Sequence, residues 1–330
     1  AITEAWLDGP HGDYESRSFT YWNEDGEVPA ACAACHSQTG ALDYLGADGS
    51  AALSVEHPAA INAPIGCASC HTSKGHALDA VPFPSGVTMD RLAGNAMCYV
   101  CHQGRTATGD VEAAVATLEA DTVAEELSFI NVHYGVAAAT THGSETRGGF
   151  EYADRTYAGT FAHVPSAATC LDCHDAHDTQ VATEGCFACH RGVEEVRQIR
   201  TRNADFDGDG SNAGGIHAEI MGLHARLDTA IRSYADAVIG TPIVYAPGSY
   251  PYFFVDTNGD ATPDAGEAIY PNRYQSWTPR LLKAAYNYQF VAKDPGAYVH
   301  NPTYVLQLLH DSLESLGARV ALDGGGLQRP

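Results

Sequence analysis

Residues 170–190 read CLDCHDAHDTQVATEGCFACH, and the pattern they contain recurs along the whole N-terminal part of this chain. Cys-x-x-Cys-His occurs twice in this stretch, at Cys170–His174 and at Cys186–His190, and His177 lies three residues after the first copy. The same pattern is found in three upstream copies, Cys32–His36, Cys67–His71 and Cys98–His102. All ten cysteines of the 330-residue chain belong to these five copies, so none is left over for a disulfide or a thiol nucleophile.

Cys-x-x-Cys-His is the attachment sequence of haem c, in which two cysteines form thioether bonds with the macrocycle and the histidine binds the iron. Zinc ribbons also use paired Cys-x-x-Cys, but they have no reason to place histidine after every pair. We therefore predict five covalently bound haems. The predicted haem-binding residues are the cysteines and histidines of the five copies: Cys32, Cys35, His36, Cys67, Cys70, His71, Cys98, Cys101, His102, Cys170, Cys173, His174, Cys186, Cys189 and His190.

The motif histidines provide one axial ligand for each iron, the proximal one, at His36, His71, His102, His174 and His190. The sixteen histidines leave more than enough for the opposite, distal positions, whereas methionine, the rival ligand, occurs three times. We therefore predict bis-histidine coordination at most of the irons. The candidate distal ligands are five histidines that lie outside the motifs, His11, His133, His163, His177 and His300.

Other histidines are weaker candidates for the distal positions. His57 and His142 are the substitutes, while His217 and His224 lie seven residues apart on one predicted helix face and fit an exposed or core-edge position better. His177 follows its own motif too closely to reach the far side of that iron, so we expect it to bind the iron of a neighbouring motif. The alternative for each candidate is a solvated or hydrogen-bonded histidine.

The predicted fold is mainly α with much irregular loop. Residues 1–202 carry every haem motif and are expected to wrap short helices and loops around five haems, which supply most of the apolar mass. Residues 203–330 have no cysteine and are predicted to form a helical domain with a small β element. Its predicted elements are a long helix from Ile216 to Val238, strand-prone stretches at Ile243–Tyr245 and Tyr252–Val255, and helices that begin at Thr278-Pro279 and Asn301-Pro302. Upstream, the pattern predicts a helix from Asp110 towards Leu127 and a hairpin over Phe150–Tyr157.

A calcium site is predicted between the strand-prone stretches and the second C-terminal helix. Oxygen ligands lie at the spacing of an EF-hand loop, in Asp256, Asn258, Asp260, Thr262, Asp264 and Glu267. Ala261 departs from the pattern, which has glycine at its sixth position, and no clear helix precedes the loop. An acidic turn is therefore the alternative. Asp205–Gly210 begins in the same way but has Ile216 where the last ligand would be, so it is the weaker candidate.

The formal net charge of −23, to which each haem adds two propionates, argues against partners that are nucleic acids or anionic membranes and favours basic partners and cations. No window reaches the length of a membrane helix, so no membrane span is expected. Covalent haem attachment takes place outside the cytoplasm. We therefore expect a mature, exported protein that is extracellular or at the cell surface, with the periplasm as the alternative.

The chain resembles the multihaem c-type cytochromes of anaerobic, metal-reducing bacteria and archaea, which include extracellular cytochromes that polymerise into conductive filaments. Beyond the five motifs, the resemblance lies in four phrases, Cys98–Arg105, His133-Tyr134, Cys170–His177 and Asp294–Asn301. It implies closely spaced bis-histidine haems that pass single electrons to redox partner proteins or extracellular acceptors. It also implies self-association into a head-to-tail filament, in which a histidine could ligate an iron of the next subunit.

An enzyme is the competing class of function. Pentahaem nitrite reductases have a catalytic haem attached through Cys-x-x-Cys-Lys, and none of the three lysines here, Lys74, Lys283 and Lys293, follows a Cys-x-x-Cys. An iron with two histidine ligands has no open position for a substrate, so we predict an electron carrier rather than an enzyme. A multihaem reductase with one haem that lacks a distal ligand is the alternative.

Overall fold

The computed structural model describes residues 1–322 and 326–330, and about 40% of the chain is helical, with few strands and much loop. The predicted mainly α fold is confirmed at this level. The chain divides into two compact units. The first consists of residues 1–102 and 162–191, and the second of residues 103–161 and 192–330.

The first unit is built from short helices joined by loops. Its elements are α1 (Ile2–Asp8), α2 (Arg17–Thr20), α3 (Ala30–His36), α4 (Gln38–Tyr44), α5 (Cys67–His71), α6 (Ser73–Ala77), the paired strands β1 (Val81–Pro82) and β2 (Thr88–Met89), and α7 (Ala96–Cys101). Single 3₁₀ turns follow at Ala93–Asn95, before α7, and at Cys170–Asp172 and Glu184–Ala188. None of these helices exceeds seven residues, a length at which a helix in water depends on tertiary packing.

The apolar packing within the first unit is thin among its described residues. Val28, Ala33 and Ala59 form one small buried cluster, in which the backbones of Val28 and Ala59 are joined by a pair of hydrogen bonds. Larger buried side chains such as Phe83 and Tyr99 contact each other edge to face. Small clusters of this kind bury little area, which is the expected result if bound cofactors complete the core of this unit.

The second unit contains the longer helices. Its elements are α8 (Thr108–Val115), α9 (Ala137–His142), α10 (Ile216–Tyr234), β3 (Ile243–Tyr245), β4 (Phe253–Val255), α11 (Pro279–Ala292), α12 (Ala297–His300) and α13 (Pro302–Gly317). A π-helical turn over Ala235–Ile239 extends α10, and 3₁₀ turns lie at Gly143–Glu145, Val196–Gln198 and Tyr270–Asn272. Strands β3 and β4 are antiparallel, with Val244 opposite Phe254.

Helices α10, α11 and α13 pack against one another and form the core of the second unit. The predicted apolar face of α10 is buried, with Leu223 and Leu227 fully enclosed. The predicted starts of α11 and α13 are confirmed: the Thr278 side chain accepts a hydrogen bond from the amide of Leu281, and the Asn301 side chain caps α13 in the same way. In both helices proline occupies the first turn, where its missing N–H costs nothing.

Three local features differ from the sequence expectations. Residues 103–161 belong to the second unit rather than to the haem-bearing region of residues 1–202, because their backbone binds side chains of α11. Val132, for example, donates to Gln289, and Phe150 donates to Asn287. Helix α8 ends at Val115 instead of continuing towards Leu127. Residues 150–157 form a turn at 153–154 without the predicted strands.

We predict that Leu223→Ala destabilises the second unit by about 2–5 kcal/mol, because it opens a cavity between packed helices. Met221→Ala is the matched control: it lies two residues away on α10 but is 48% exposed, so we expect a change within about 0.5 kcal/mol. Urea unfolding followed by far-ultraviolet circular dichroism measures both. Equal free energies of unfolding for the two variants would contradict the packing described here.

Candidate haem-binding site

All five Cys-x-x-Cys-His motifs lie in the first unit, and each is on or beside a single helical turn. The first ends α3, the second forms α5 and the third ends α7, while the fourth and fifth begin in the 3₁₀ turns at 170–172 and 184–188. Cysteines three residues apart on a helical turn project from the same face, and the next residue follows on that face. The local structure therefore presents two sulfurs and one imidazole together, as covalent haem attachment requires.

The cysteines of different motifs lie close together around the third motif. The Cys35 thiol donates to the carbonyl oxygen of Val100 at 3.6 Å, and a hydrogen bond with Cys35, together with burial, raises the pKa of the Cys101 thiol. On the other side of the motif, a hydrogen bond with Cys170 lowers the pKa of Cys98 to about 7. The third motif is therefore adjacent to both the first and the fourth.

Three motif histidines lie beside a histidine from outside the motifs. The ring centres are 6.3 Å apart for His102 and His11, 6.4 Å for His71 and His177, and 6.1 Å for His190 and His163. Two imidazoles that bind one iron from opposite sides, each with an Fe–N distance of about 2 Å, have ring centres roughly 6 Å apart. The observed separations fit an iron between the rings of each pair.

His71 has two histidine neighbours, and the sequence singled out one of them. The ring of His177 is nearly parallel to that of His71, at 9°, whereas the ring of His76 is 5.8 Å away at 64°. His177 thus lies against the motif of a neighbour rather than its own, as its position in the sequence led us to expect. His76 lies five residues after His71 in α6, and nothing in its sequence context distinguishes it from a solvated histidine.

The proximal candidate His36 is oriented by groups of its own unit. Its Nδ1 donates a hydrogen bond of 2.8 Å to the carbonyl oxygen of Ser18, and its ring packs edge to face on Trp22 with centres 5.1 Å apart. A backbone carbonyl bound to Nδ1 fixes the tautomer in which Nε2 is the nitrogen that binds a metal. Sequence reasoning did not identify Ser18 or Trp22, since neither carries a motif.

In the second unit, two of the predicted distal ligands have distinctive surroundings. The Nδ1 of His300 lies 2.8 and 2.9 Å from the two carboxylate oxygens of Asp294, whose charge and hydrogen bond outweigh burial and raise the pKa of His300. His133 has a φ of 72°, a left-handed backbone conformation that is rare for residues with a side chain, and its amide donates to the side chain of Asn131.

The weaker histidine candidates have other surroundings. His57 is exposed, and the Nδ1 of the buried His142 bonds the hydroxyl of Thr160. His217 packs on Tyr298, and the Nε2 of His224 donates to the carbonyl oxygen of Tyr288, on whose ring His224 also stacks. Burial lowers the pKa of His142, His217 and His224. The hydrogen bond of His224 matches the core-edge role expected for it.

The predicted calcium loop follows β4 directly, so it is not flanked by two helices as an EF-hand loop is. Ala261 has a φ of 64°, the conformation that glycine provides at the sixth position of such loops. Asp256 accepts from the amides of Gly259 and Ala261, and Glu267 accepts from the amides of Thr257 and Asn258. Ala261 therefore adopts the backbone conformation that glycine has at this position of such loops, and the calcium site itself stays a prediction.

Two of the predicted oxygen ligands of this loop accept hydrogen bonds from one side-chain amide. Asn258 Nδ2 donates to carboxylate oxygens of both Asp260 and Asp264, at 3.1 and 3.0 Å. Thr262, the remaining oxygen donor of the loop, gives its amide to Asp260 at 2.8 Å. A cation placed between the two carboxylates would require the Asn258 amide to turn its oxygen inwards, a rotation that leaves the shape of the side chain almost unchanged.

Two groups of side chains that could hold a metal ion occur within residues 1–322 and 326–330, and neither belongs to the loop from Asp256 to Glu267. The weaker candidate brings together Asp205, Asp207 and Asp209, and burial raises the pKa of Asp207 to about 6. His310, Asp311 and Glu314 form a second cluster on α13. There, hydrogen bonds and the charge of Arg329 outweigh burial and lower the pKa of Asp311 to about 2.

The chain is similar to two long polyhaem cytochromes of Geobacter sulfurreducens. It is 26% identical to the "C-type polyheme cytochrome OmcB" over 382 aligned positions, which cover 95% of this chain and 47% of that protein. It is also 26% identical to the "C-type polyheme cytochrome OmcC" over 372 positions, which cover 92% and 45%. The similarity and the five motifs together support a multihaem c-type cytochrome. The chain spans about half the length of these curated relatives.

Two further comparisons found nothing. No family model matches this sequence, and no solved structure matches it. Among the described residues of the chain, no helix has the length and apolar character needed to cross a membrane.

Proposed function

We propose that this protein transfers electrons outside the cytoplasm through five haems c, each held by a proximal and a distal histidine. The observation that carries the proposal is the set of three histidine pairs, whose ring separations fit one iron between each pair. When bound, the haems would supply one-electron exchange between ferrous and ferric iron.

The protein's own residues would attach and orient these groups. The ten motif cysteines form the thioether bonds, and the five motif histidines are the proximal ligands. We assign His11, His177 and His163 as the distal partners of His102, His71 and His190. His133 and His300 are kept as further proposed distal ligands without assignment to a motif, and the hydrogen bond from His300 to Asp294 is the kind of contact that orients such a ligand.

The spacing of the motifs supports transfer between haems. The sulfur of Cys101 lies beside that of Cys35, and the sulfur of Cys98 lies beside that of Cys170. A cysteine sulfur in thioether linkage would be bonded directly to its haem, so neighbouring sulfurs of two motifs would place their haems close together. We infer that the third motif connects the first and fourth, which gives electrons a short path through the first unit.

A carrier without an open coordination position is favoured over a reductase because three of the five motif histidines already face a second histidine. The named relatives are cytochromes, which agrees with a carrier. The partners are proposed to be redox proteins or extracellular acceptors. The location is proposed to be the cell surface or the exterior.

The head-to-tail filament follows from the family resemblance, and solution scattering distinguishes it from a monomer. We expect the average particle mass to rise with protein concentration as subunits add end to end, since a heterologous contact that does not close forms a fibre. A constant mass equal to one haem-loaded chain, at all accessible concentrations, would contradict the filament.

The reduction potentials test the electron-transfer proposal. Histidine on both sides of the iron and the net charge of −23 both favour the ferric state, so we expect most of the haems to titrate at potentials negative of the standard hydrogen electrode. A spectroelectrochemical titration of the holoprotein measures this, and its visible spectra should remain low-spin throughout. A titration centred well above the hydrogen electrode, or a dominant high-spin ferric band, would contradict bis-histidine coordination.

We also propose that the loop from Asp256 to Glu267 binds calcium. If it does, thermal unfolding in the presence of calcium at 100 times the dissociation constant should show a stabilisation of about 2.7 kcal/mol relative to chelator-treated protein. Glu267→Gln should abolish this effect, whereas Glu126→Gln, at an exposed position outside the loop, should preserve it. An equal calcium response in both variants, or none in the parent protein, would exclude the site.

A further inference from the structure

The segment that carries His11 packs directly on the turn that carries His177, residues 175–179, and both belong to the first unit. A β-carbon added to Gly9 would lie 2.5 Å from the carbonyl oxygen of His177 and 3.0 Å from the Cα of Asp178. Both neighbours are backbone atoms, which cannot turn aside as the end of a flexible side chain can. Glycine at position 9 therefore permits a close approach that any larger residue would prevent.

The imidazole of His11 contacts the same turn. It donates a hydrogen bond to the backbone carbonyl oxygen of Ala176, the residue before His177. A backbone acceptor on one ring nitrogen fixes the orientation of an imidazole and leaves the other nitrogen to bind a metal. The peptide between Ala176 and His177 is therefore connected to both candidate ligands, to one through a hydrogen bond and to the other through the chain.

Further hydrogen bonds hold each of the two segments in place. The carboxylate of Asp175 closes the turn, because it accepts from the amides of His177 at 2.8 Å and of Asp178 at 3.3 Å. On the other segment, Nε1 of Trp6 donates to the carbonyl oxygen of Ile65 at 2.8 Å, which anchors α1 just before the second motif. The contact between the segments is thus made by backbone that is fixed on both sides.

His11 and His177 are the proposed distal ligands of two different irons. The ring centre of His11 lies 6.3 Å from that of His102, and the ring centre of His177 lies 6.4 Å from that of His71. All four histidines belong to the first unit. The peptide that joins the two distal candidates therefore links the proposed iron sites of the third and second motifs.

We propose that the packing of residues 9–11 on the turn of residues 175–179 couples these two irons. It fixes both distal imidazoles on one peptide, so a displacement of either segment, or the loss of the ring that binds this peptide, changes the ligand geometry at both irons. The inference rests on the proposed function, because it takes both histidines as distal ligands. Gly9 and Asp175 are positioning residues, since they act through the two histidines.

The test is EPR spectroscopy of the oxidised holoprotein, because the g values of a low-spin bis-histidine iron depend on the orientation of its two imidazole rings. Gly9→Ala should change the signals of two of the five irons, those of the second and third motifs. Gly94→Ala is the matched control in the same unit, because a β-carbon at Gly94 would meet no atom of the described residues within 4 Å. It should keep all five parent signals. A variant that is merely less stable would also keep the parent signals in its folded fraction.

Asp175→Ala disturbs the same contact from the other side, and it serves if Gly9→Ala fails to incorporate haem. Asp175 is exposed, so its loss opens no cavity, but the turn loses two hydrogen bonds to its amides. The same two signals should change. Asp48→Ala is the control, because Asp48 is also exposed and accepts from the amide of Ser50 in another turn of the first unit. All five signals should remain in that variant.

Histidine variants identify the two irons. His11→Ala and His177→Ala should each remove a different low-spin signal, and these should be the two signals that change in Gly9→Ala and Asp175→Ala. His11→Ala should also change the second-motif signal, whereas His163→Ala, which removes a distal candidate of another motif, should not. 

Parent signals in both positioning variants, or a change confined to one of the two irons, would overturn the inference while leaving the ligand assignment intact. Five low-spin irons in both His11→Ala and His177→Ala would instead overturn the ligand assignment, and the inference with it.

Discussion

The double variant Cys98→Ser/Cys101→Ser is expected to carry four covalent haems instead of five and to divide the remaining ones into poorly connected groups. Serine forms no thioether bond, so the third motif would lose its covalent hold on the macrocycle. This motif lies beside both the first and the fourth through neighbouring sulfurs. Its loss should therefore slow electron exchange between haems far more than the loss of one haem in five would by itself.

Intact mass and stopped-flow reduction measure these two effects. The double variant Cys186→Ser/Cys189→Ser is the comparison, because it also removes one haem but leaves the third motif intact; we expect its reduction to remain nearly single-phase. Met97→Leu, in the same helix as Cys98, controls for disturbance of α7 and should retain five haems. Equal kinetics in the two serine double variants would contradict the connecting role of the third motif.

The second large effect is expected at His177. His177→Ala should convert one iron in five from six-coordinate low-spin to five-coordinate high-spin, and that iron should bind carbon monoxide when reduced. The reason is that the centre of the His177 ring lies 6.4 Å from that of His71, a separation that fits two ligands on one iron. High-spin EPR signals and the carbon monoxide difference spectrum measure the change.

His76→Ala is the matched control, since His76 also lies near His71. We expect that variant to stay entirely low-spin. The opposite result, a high-spin iron in His76→Ala and none in His177→Ala, would transfer the distal role to His76. His11→Ala and His163→Ala should behave as His177→Ala does, each at a different iron.

Sequence reasoning worked well where local chemistry determines the structure. Thr278-Pro279 and Asn301-Pro302 predicted the starts of α11 and α13, because a side-chain cap and a proline in the first turn act within a few residues. The attachment residues assigned to the Cys-x-x-Cys-His motifs stay predictions. His177 lies near His71 of another motif, as expected from the short connection to its own motif.

Other features depend on tertiary contacts that no local pattern contains. Helix α8 stops at Val115, and the chain beyond it is held by side chains and backbone of distant residues: Arg280 and Tyr234 both bind the carboxylate of Asp121, and Ala124 donates to the carbonyl of Trp277. The backbone of Phe150 binds the Asn287 side chain on both its N–H and its carbonyl, which replaces the expected strand pairing. Tertiary hydrogen bonds outweighed the weak local propensities in both places.

The candidate distal histidines also depend on tertiary contacts that the sequence does not show. Eleven histidines outside the motifs have similar sequence contexts, and which of them meets a motif histidine depends on how the loops of the first unit fold. The sequence also did not identify the residues that hydrogen-bond two of the candidate iron ligands. His36 binds the carbonyl oxygen of Ser18, 18 residues away in the chain, and His300 binds the carboxylate of Asp294, six residues away.

The most direct test of the central claim is the intact mass of the purified protein under denaturing conditions. Covalent attachment predicts a single species heavier than the polypeptide by five haem groups, red in colour, with ten thioether-bonded cysteines that do not react with thiol reagents. A colourless protein with the mass of the bare polypeptide and ten reactive thiols would contradict the account.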